Sequence, residues 1–481
     1  MSQTVRIEPV TRIEGHAKIT IRLSDDGSVE DARLHVTEFR GFEEFCRGRP
    51  VWEMPSLTAR VCGICPVSHL LASARAVDGI MGVTPPRPAR MLRALANLGQ
   101  LTQSHALSFF HLSGPDLLLG MDAAPGLRNI FGLMAAEPEV ARRGIRLRAF
   151  GQSVIEAVAG RRVHSPGIVP GGIAQPMPPA TRDSIRAALP EARQAAEESL
   201  KLYLYIAERF DREIRSFGEF PSLFLGLANR DGTWEHQHHK GHLKVIDSRG
   251  ATVIDNLDPF HYRDWIGEAA VPDSYLKAPY IKPFVSDGQP LAHGMYRVGA
   301  LARVNLCQRM GTPAADEALA ELRSLAGPVP LSSFHYHHAR LIEVIACLEL
   351  MERLLDDPRL LDSNVRAEAS VSRRRGVGVS EAPRGTLFHE YEVDENGLVT
   401  DVNLIIATGQ NALAMNATLL QLAREYVTGP NPPESVLNRL EAGVRAFDPC
   451  LSCSTHAAGS MPLEVVVRDS DGVELSRTCR G

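Results

Sequence analysis

The sequence predicts a helix-rich α+β protein in which a central bundle of long helices carries small β-sheets at its periphery. Apolar residues recur at helical spacing through the middle of the chain, and shorter segments alternate apolar and polar residues. Hydrophobic residues make up 44% and charged residues 23% of the 481 residues, which is ordinary globular composition with enough length for a large core. A net charge of −5 gives no argument for nucleic acid or an anionic membrane.

The first forty residues are predicted to be β structure. Residues 17–23 alternate apolar and polar side chains, residues 25–27 form an Asp-Asp-Gly turn, and residues 29–39 resume the alternation. Two further hairpins are predicted over residues 241–255 and 386–406, each with turn residues near its centre.

Long helices are predicted where apolar residues recur every three or four positions. Thr181, followed by Asp183 and Ser184, offers helix-start chemistry before one of the longest of them. The predicted helices cover residues 87–110, 138–157, 184–217, 333–355, 411–427 and 434–447.

The N-terminus lacks the basic and apolar regions of a secretory signal, and no segment approaches 18 uninterrupted apolar residues. We therefore expect no membrane span and a reducing compartment. In such a compartment, close cysteine pairs favour metal or redox chemistry over disulfides.

Two Cys-x-x-Cys pairs lie near opposite ends of the chain, Cys62 with Cys65 and Cys450 with Cys453. A histidine follows each pair, at His69 and at His456. Four thiolates suit zinc, an iron–sulfur cluster or another soft transition-metal centre. By spacing alone, a structural zinc site joining the chain ends is the plainest alternative. A thioredoxin-like pair fits less well, because neither pair lies in a βαβ pattern.

The residues around these pairs belong to an ordered series of motifs that spans the chain. The series comprises residues 11–16 (TRIEGH), 39–43 (FRGFE), 48–50 (GRP), 60–69 (RVCGICPVSH), 164–172, 296–305, 381–385 (EAPRG) and 448–456 (DPCLSCSTH). Along nearly its whole length the chain resembles the large, catalytic subunit of [NiFe] hydrogenases. Residues 38–46, 52–55 and 65–69 look most like soluble cytoplasmic members, within which the bidirectional NAD-reducing type is closest.

The resemblance implies a nickel–iron centre. Cys62, Cys65, Cys450 and Cys453 would bind nickel, and Cys65 and Cys453 would also bridge to an iron that carries carbon monoxide and cyanide. Glu14 would be the first proton acceptor. Around the centre, the resemblance implies that Arg384 and Thr408 donate hydrogen bonds to cyanide and that Arg60, His69, Pro383 and Asp448 support the site.

Two features of the implied site need separate mention. Many family members place an aspartate over the metals where this chain has Ser104, so a full charged canopy does not carry over, although Asp448 remains available. Glu43, the carbonyl of Leu404 and the imidazole of His456 resemble ligands of a separate magnesium-type ion. An imidazole is an unusual ligand for such a hard cation.

The resemblance implies reversible heterolytic cleavage of hydrogen in the cytoplasm. Electrons would pass through an iron–sulfur small subunit to NAD, which diaphorase-type subunits would bind together with flavin. Residues 376–378 (GVG) lack the strand, third glycine and acidic residue of a dinucleotide site, so we expect no NAD site on this chain. The alternatives are an electron-routing relative without hydrogen chemistry and a zinc-stabilised structural protein. Metal analysis distinguishes the three.

Three polar patterns are interpreted as packing or surface features. Histidines are dense in residues 236–242 and 335–338, where surface exposure or helix packing explains them more simply than a metal. Residues 373–375 form a short run of three arginines, which is typical of a solvated face.

The chain continues for 25 residues past the last motif. We expect residues 1–456 to form one intertwined body and residues 457–481 to be a C-terminal extension. By resemblance this is the precursor form, which nickel-insertion proteins load and from which a maturation endopeptidase then cuts the extension between His456 and Ala457.

The first prediction is that the active chain ends at His456. A tail leaving from a buried ligand would have to thread out of the site and would leave backbone polar groups needing partners. Intact-mass measurement of the active, purified complex checks this. Recovery of full-length, nickel-loaded and active chain would contradict it.

Overall fold

The computed structural model describes residues 3–234, 241–271, 274–455, 463–468 and 474–480. The helices are α1 Phe42–Cys46, α2 Met54–Thr58, α3 Pro66–Met81, α4 Arg87–Ala106, α5 Gly114–Leu119, α6 Ile130–Ala136, α7 Pro138–Ala159, α8 Pro179–Ala207, α9 Asp211–Ser216, α10 Ala300–Leu306, α11 Pro313–Ala326, α12 Tyr336–Asp356, α13 Ala407–Gln410, α14 Ala412–Tyr426, α15 Glu434–Ala446 and α16 Leu451–Ser454. The strands are β1 Gln3–Ile7, β2 Ala17–Leu23, β3 Val29–Val36, β4 Ile168–Val169, β5 Gly172–Ile173, β6 Leu223–Ala228, β7 His242–Ile246, β8 Thr252–Leu257, β9 Ile266–Val271, β10 Ser274–Ile281, β11 Tyr296–Arg297, β12 Arg375–Ala382, β13 Gly385–Val393, β14 Val399–Ile405, β15 Leu463–Arg468 and β16 Glu474–Arg480.

Helices α4, α7, α8 and α12 form the central bundle, as predicted. Helices α4 and α7 cross where two glycines meet: a Cβ on Gly151 would lie 2.6 Å from the carbonyl oxygen of Gly99. Because neither residue has a side chain, the two backbones approach closely and bury their flanking apolar residues. The predicted helix 87–110 continues beyond α4 as a π-helix over Leu107–Ser113.

The long helix predicted over residues 184–217 differs in detail. Helix α8 begins at Pro179, two residues before Thr181, so Thr181 lies in the first turn and is not the cap. Proline is well suited to that first position, where its missing N–H is not needed. A 3-10 turn at Glu208–Phe210 then separates α8 from α9.

The N-terminal sheet has the order β1-β2-β3, and the predicted hairpin of residues 17–23 and 29–39 is confirmed in β2 and β3. Ile19, Ile21 and Leu23 alternate inward along β2 and are fully buried. The hairpins predicted over residues 241–255 and 386–406 are likewise present as β7–β8 and β13–β14.

The sequence pattern does not predict strand β12, which completes the sheet β12-β13-β14. Strand β12 packs against α3, the helix that begins directly after Cys65. A Cβ on Gly376 or Gly378 would overlap the carbonyl oxygens of Ala76 and Ala72. The glycines of β12 therefore let a strand lie directly on a helix backbone, which the apolar/polar alternation does not reveal.

The N-terminal and C-terminal motifs converge, as predicted. Glu14 and Cys450 form an isolated parallel bridge, and the Leu451 amide donates to the Glu14 carbonyl at 3.0 Å. The Arg40 amide donates to the Thr455 carbonyl at 2.9 Å. Backbone pairing thus holds the two ends of the chain side by side.

In the C-terminal extension, β15 and β16 pair antiparallel as a hairpin. His456 and Ala457 lie outside the described residues. The division into residues 1–456 and 457–481 stays a prediction. None of the helices in the described part of the chain has the length and apolar character needed to cross a membrane.

The second prediction is that Gly378→Ala destabilises the protein. The added methyl group would meet the Ala72 backbone, and overpacking of this kind costs about 1–3 kcal/mol. Thermal unfolding of the purified protein measures the loss. Gly126→Ala is the control, because a Cβ there meets nothing within 4 Å. Equal melting temperatures for the two variants would contradict the close helix–strand contact.

Candidate metal centre

Four cysteine sulfurs from the two ends of the chain meet in the interior. Cys62 follows a 3-10 turn, Cys65 immediately precedes α3, and Cys450 and Cys453 lie at the start of α16 and within it. All four Sγ atoms lie within 4.8 Å of one another, and all four residues are buried. The prediction that these cysteines share one site is confirmed in its geometry.

The local turn of the first pair explains why two residues separate its thiols. The Sγ of Cys62 accepts hydrogen bonds from the amides of Ile64 and Cys65, at 3.2 and 3.0 Å. These bonds fold the chain around Cys62, so that the Sγ of Cys65 lies 3.0 Å from it. In the second pair, the Sγ atoms of Cys450 and Cys453 are 2.8 Å apart.

Burial makes this thiol cluster a cation site. It raises the pKa of the Cys450 and Cys453 thiols, since a thiolate is poorly solvated there. Hydrogen bonds from Cys450, Cys453 and Cys62 lower the pKa of Cys65 well below the ordinary value. Four thiolates at this spacing need a bound cation to balance their charge, and sulfur ligands select soft metals such as nickel, iron and zinc.

Arg384 lies over the cysteines on the turn between β12 and β13. Its Nη2 atom contacts Oδ1 of Asp448 at 3.0 Å, and its Nε donates to the Asp448 carbonyl at 2.6 Å. Burial disfavours the charge, but Asp448 and the cysteines nearby hold the pKa of Arg384 well above its ordinary value. The guanidinium therefore stays charged beside the thiols.

Ser104 and Asp448 divide the role of the expected canopy. Arg384 Nη1 donates to Ser104 Oγ at 3.3 Å, so the serine is a neutral partner, as its chemistry predicts. The negative charge comes instead from Asp448, which has a left-handed backbone with φ of 54°. Oδ2 of Asp448 is buried and has no hydrogen-bond partner among the described residues. It is available to a group bound at the centre.

Thr408 contacts the centre through the backbone. Its Oγ1 accepts a hydrogen bond from the Cys450 amide at 2.9 Å, and the residue is buried at the start of α13. The same hydroxyl still has its proton to donate. Thr408 is thus placed both to fix the Cys450 turn and to offer one donor.

Glu14 lies beside the C-terminal pair. Its Oε2 accepts from the Ser452 amide at 3.1 Å, and its backbone pairs with Cys450. The nearby Arg12 is held by Asp116, whose two oxygens lie 2.6 and 2.9 Å from the guanidinium nitrogens. The segment that carries Glu14 is therefore fixed on both sides.

Asp116 is shared by two arginines. Arg445 binds the same carboxylate as Arg12. Burial opposes the charge of Asp116, but Arg445 and Arg12 keep its pKa below the ordinary value. The carboxylate therefore stays ionised in the interior and ties the N-terminal segment to α15.

A line of buried polar side chains begins at Cys65. His69 hydrogen bonds with the Cys65 thiol, and its Nδ1 lies 3.1 Å from Nε2 of His389. Nδ1 of His389 is 2.6 Å from the Tyr391 hydroxyl, which donates to Ser73. The resemblance implies the supporting role of His69 but not that of His389, whose position in a strand carries no metal-ligand signal.

A buried ion cluster supports the turn that carries Arg384. The guanidinium of Arg303 contacts Glu343 at 2.5 and 2.7 Å and Glu381 at 2.8 Å, and all three side chains have no exposed surface. Arg303 also donates to the carbonyls of Ala382 and Pro383. Arg303 and Glu381 belong to the quoted motifs, but the sequence gives them no role, since their contact depends on the tertiary fold.

Two predicted positions lie apart from the thiols. Arg60 is exposed on the turn before Cys62. Glu43 is buried, accepts from the Leu404 amide at 2.8 Å and lies 3.7 Å from Nζ of Lys277. Burial raises the pKa of Glu43, against the opposing effect of Lys277. Its expected third neighbour, His456, lies outside the described residues.

Fold and thiol site together define a class: a large hydrogenase-type chain that gathers a four-cysteine metal site from both of its ends. A model described as nickel-dependent hydrogenase matches residues 40–124 and 260–456, and a model described as HoxL-like matches residues 4–39. The chain belongs to the nickel-dependent hydrogenase family, as a large subunit of the [NiFe] type, an oxidoreductase.

Individual relatives agree with this membership. The NAD-reducing hydrogenase HoxS subunit beta of Cupriavidus necator is 39% identical, with all of both chains covered. The corresponding chain of the F420-non-reducing hydrogenase vhu of Methanococcus voltae is 41% identical over 87% of this chain and 98% of its own. A solved NAD+-reducing [NiFe]-hydrogenase in the H2-reduced state has a TM-score of 0.89 at 45% identity, covering 94% of this chain and 99% of the other.

The third prediction concerns Thr408. Thr408→Val removes the acceptor of the Cys450 amide, and a buried amide without a partner costs about 1–3 kcal/mol. We expect a lower melting temperature and less bound nickel, measured by thermal unfolding and elemental analysis. Thr408→Ser keeps the hydroxyl and is the control. Wild-type stability and nickel content in Thr408→Val would show that this hydrogen bond does not hold the turn.

Proposed function

We propose that this chain is the catalytic subunit that cleaves hydrogen reversibly at a nickel–iron centre, with electrons passing to NAD. The observation that carries the proposal is the buried cluster of four thiols under Arg384 and Asp448, in a chain of the nickel-dependent hydrogenase family. A zinc-stabilised scaffold would need the thiols alone. The charged guanidinium and the unpaired oxygen of Asp448, in the part of the chain that the structure describes, are more than such a site requires.

The residues present fit the proposed group. The four cysteines would hold nickel, with Cys65 and Cys453 shared with iron, because thiolates keep nickel electron-rich and can bridge two metals. When bound, the centre supplies the soft metal site at which hydrogen is polarised and split. The planar fork of Arg384 and the hydroxyl of Thr408 would donate to the cyanide ligands, which are strong acceptors.

Glu14 is the proposed proton acceptor. Its carboxylate is tied to the amide of Ser452, directly before Cys453, so it reaches the C-terminal pair without depending on a flexible loop. The ion cluster of Asp116 with Arg12 and Arg445 fixes the backbone that leads to it. A carboxylate held in this way can take a proton from the site and pass it on.

The partners are proposed from the relatives. The printed names describe subunits of NAD-reducing and F420-non-reducing hydrogenases, which supports an assembly of several chains. We place the electron-transfer clusters on an iron–sulfur small subunit, and NAD and flavin on diaphorase-type subunits, in the cytoplasm. Nickel-insertion proteins and an endopeptidase that cuts after His456 complete the proposed maturation of residues 1–456.

The magnesium-type ion is the part of the proposal with a competing cation in the chain. Nζ of Lys277 lies 3.7 Å from Glu43 and 3.2 Å from Glu268, so Glu43 already has a positively charged neighbour. We retain Glu43, the Leu404 carbonyl and His456 as proposed ligands. One magnesium per chain in the metal analysis described next would support them.

The fourth prediction tests the centre. Infrared spectra of the active complex are expected to show metal-bound carbon monoxide and cyanide, and elemental analysis to show nickel and iron. Cys450→Ser should lose nickel and hydrogen activation, because serine is a harder and poorer ligand. Cys307→Ser, at a buried cysteine outside the cluster, is the control. Zinc in place of nickel, or wild-type activity in Cys450→Ser, would overturn the proposal.

The fifth prediction is that Glu14→Gln lowers the rate of H/D exchange by at least roughly 100-fold while nickel and iron stay bound. The amide keeps the shape of the carboxylate but cannot take up the proton. Glu8→Gln, at an exposed glutamate of the same segment, should exchange normally. Normal exchange in a metal-replete Glu14→Gln variant would point to another proton route.

A further inference from the structure

A second polar cavity lies at the far end of α3 from the cysteines. Its volume is about 480 Å³, and it is bounded by α3, the start of α4, the 3-10 turn Pro259–Asp264 and the beginning of β12. Because α3 begins directly after Cys65 and rises about 1.5 Å per residue, Arg75 lies about 15 Å along the helix from the thiols. Five arginines line the cavity: Arg75, Arg90, Arg93, Arg373 and Arg375.

Two of these arginines are neutralised within the protein. Arg93 binds Asp78 at 2.6 Å and also donates to the carbonyls of Gly172 and Val169. Arg375 pairs with Glu390. These guanidiniums have their partners and serve to build the wall of the cavity.

Arg90 and Arg373 are not neutralised. Neither has a carboxylate partner among the described residues, and Nε of Arg90 is buried there without a hydrogen-bond partner. The other acidic residue of the lining, Asp258, accepts from the Phe260 amide. Charge of one sign therefore accumulates in a chain whose net charge is −5. An anion in the cavity would relieve the repulsion between guanidiniums.

We propose that this cavity binds a small molecule through a phosphate group. Its volume falls within the range of about 300–1,000 Å³ typical of small-molecule sites. Arginine side chains approach it from two helices and from the segment before β12, and a tetrahedral phosphate has oxygens for several such forks. The 20-residue α4 begins at Arg87, two residues after Pro85 of the lining, and its N-terminus adds a positive dipole to the same side.

The phosphate is the shared chemistry of two possible sources, an inorganic polyphosphate and a nucleotide. Phe260 is 37% exposed at the cavity, and the Arg375 guanidinium lies 4.3 Å from the centre of its ring. An aromatic ring already stacked on a cation offers a surface for a base as well. The test therefore compares a probe with a base to one without.

The experiment is isothermal titration of the purified complex, and of the isolated full chain, with pyrophosphate and with ADP at constant ionic strength. We expect one site per chain. Arg90→Gln and Arg373→Gln should each weaken binding at least about tenfold, because each removes a charged donor. Arg374→Gln is the matched control: it is the exposed neighbour of Arg373 and lies outside the lining, so binding should change less than about twofold.

Tighter binding of ADP than of pyrophosphate would identify a nucleotide, and equal affinity would identify the phosphate group alone. Either result supports the proposal. Binding of neither probe at millimolar concentration would overturn it, as would an equal loss in Arg374→Gln. Binding to the isolated chain but not to the complex would also overturn it, since a partner would then fill the cavity. Arg373 is exposed, so its variant tests the site even if Arg90→Gln fails to fold.

Discussion

The rest of this structure depends on one constraint: four thiols from the two ends of a 481-residue chain must be buried at one point. A buried thiolate is costly without a cation, and four together cannot be held by packing alone. Arg384 and Asp448 answer the charge from above, while backbone pairing of Glu14 with Cys450 locks the chain ends from the side. The bundle and sheets serve as the frame that keeps these groups in register.

Two buried ion clusters transmit that frame to the site. Arg303 with its two glutamates holds the turn of Arg384, and Asp116 with its two arginines holds the segment of Glu14. Removing one partner from such a cluster leaves an uncompensated buried charge and typically costs about 3–5 kcal/mol. The groups around the thiols are therefore positioned by residues that lie outside the cluster, and the stability of the protein and the geometry of its site are coupled.

The arginine-lined cavity belongs to the same frame. Both α3 and β12 run between that cavity and the metal centre, one starting at Cys65 and the other leading to Arg384. Glycines of β12 let the two elements pack backbone to backbone, so they cannot slide past each other without a clash. An anion bound at one end would therefore contact the same two elements that carry Cys65 and Arg384 at the other.

The sequence by itself determined the helix bundle, most hairpins and the four cysteines, because periodicity and the Cys-x-x-Cys spacing are local signals. It also indicated that Ser104 could not supply charge. Only the tertiary structure decided that Asp448 pairs with Arg384, that Lys277 lies beside Glu43, and that Arg303 supports the turn of Arg384. Such contacts join residues that are far apart along the chain, and no local pattern records which buried charges will meet.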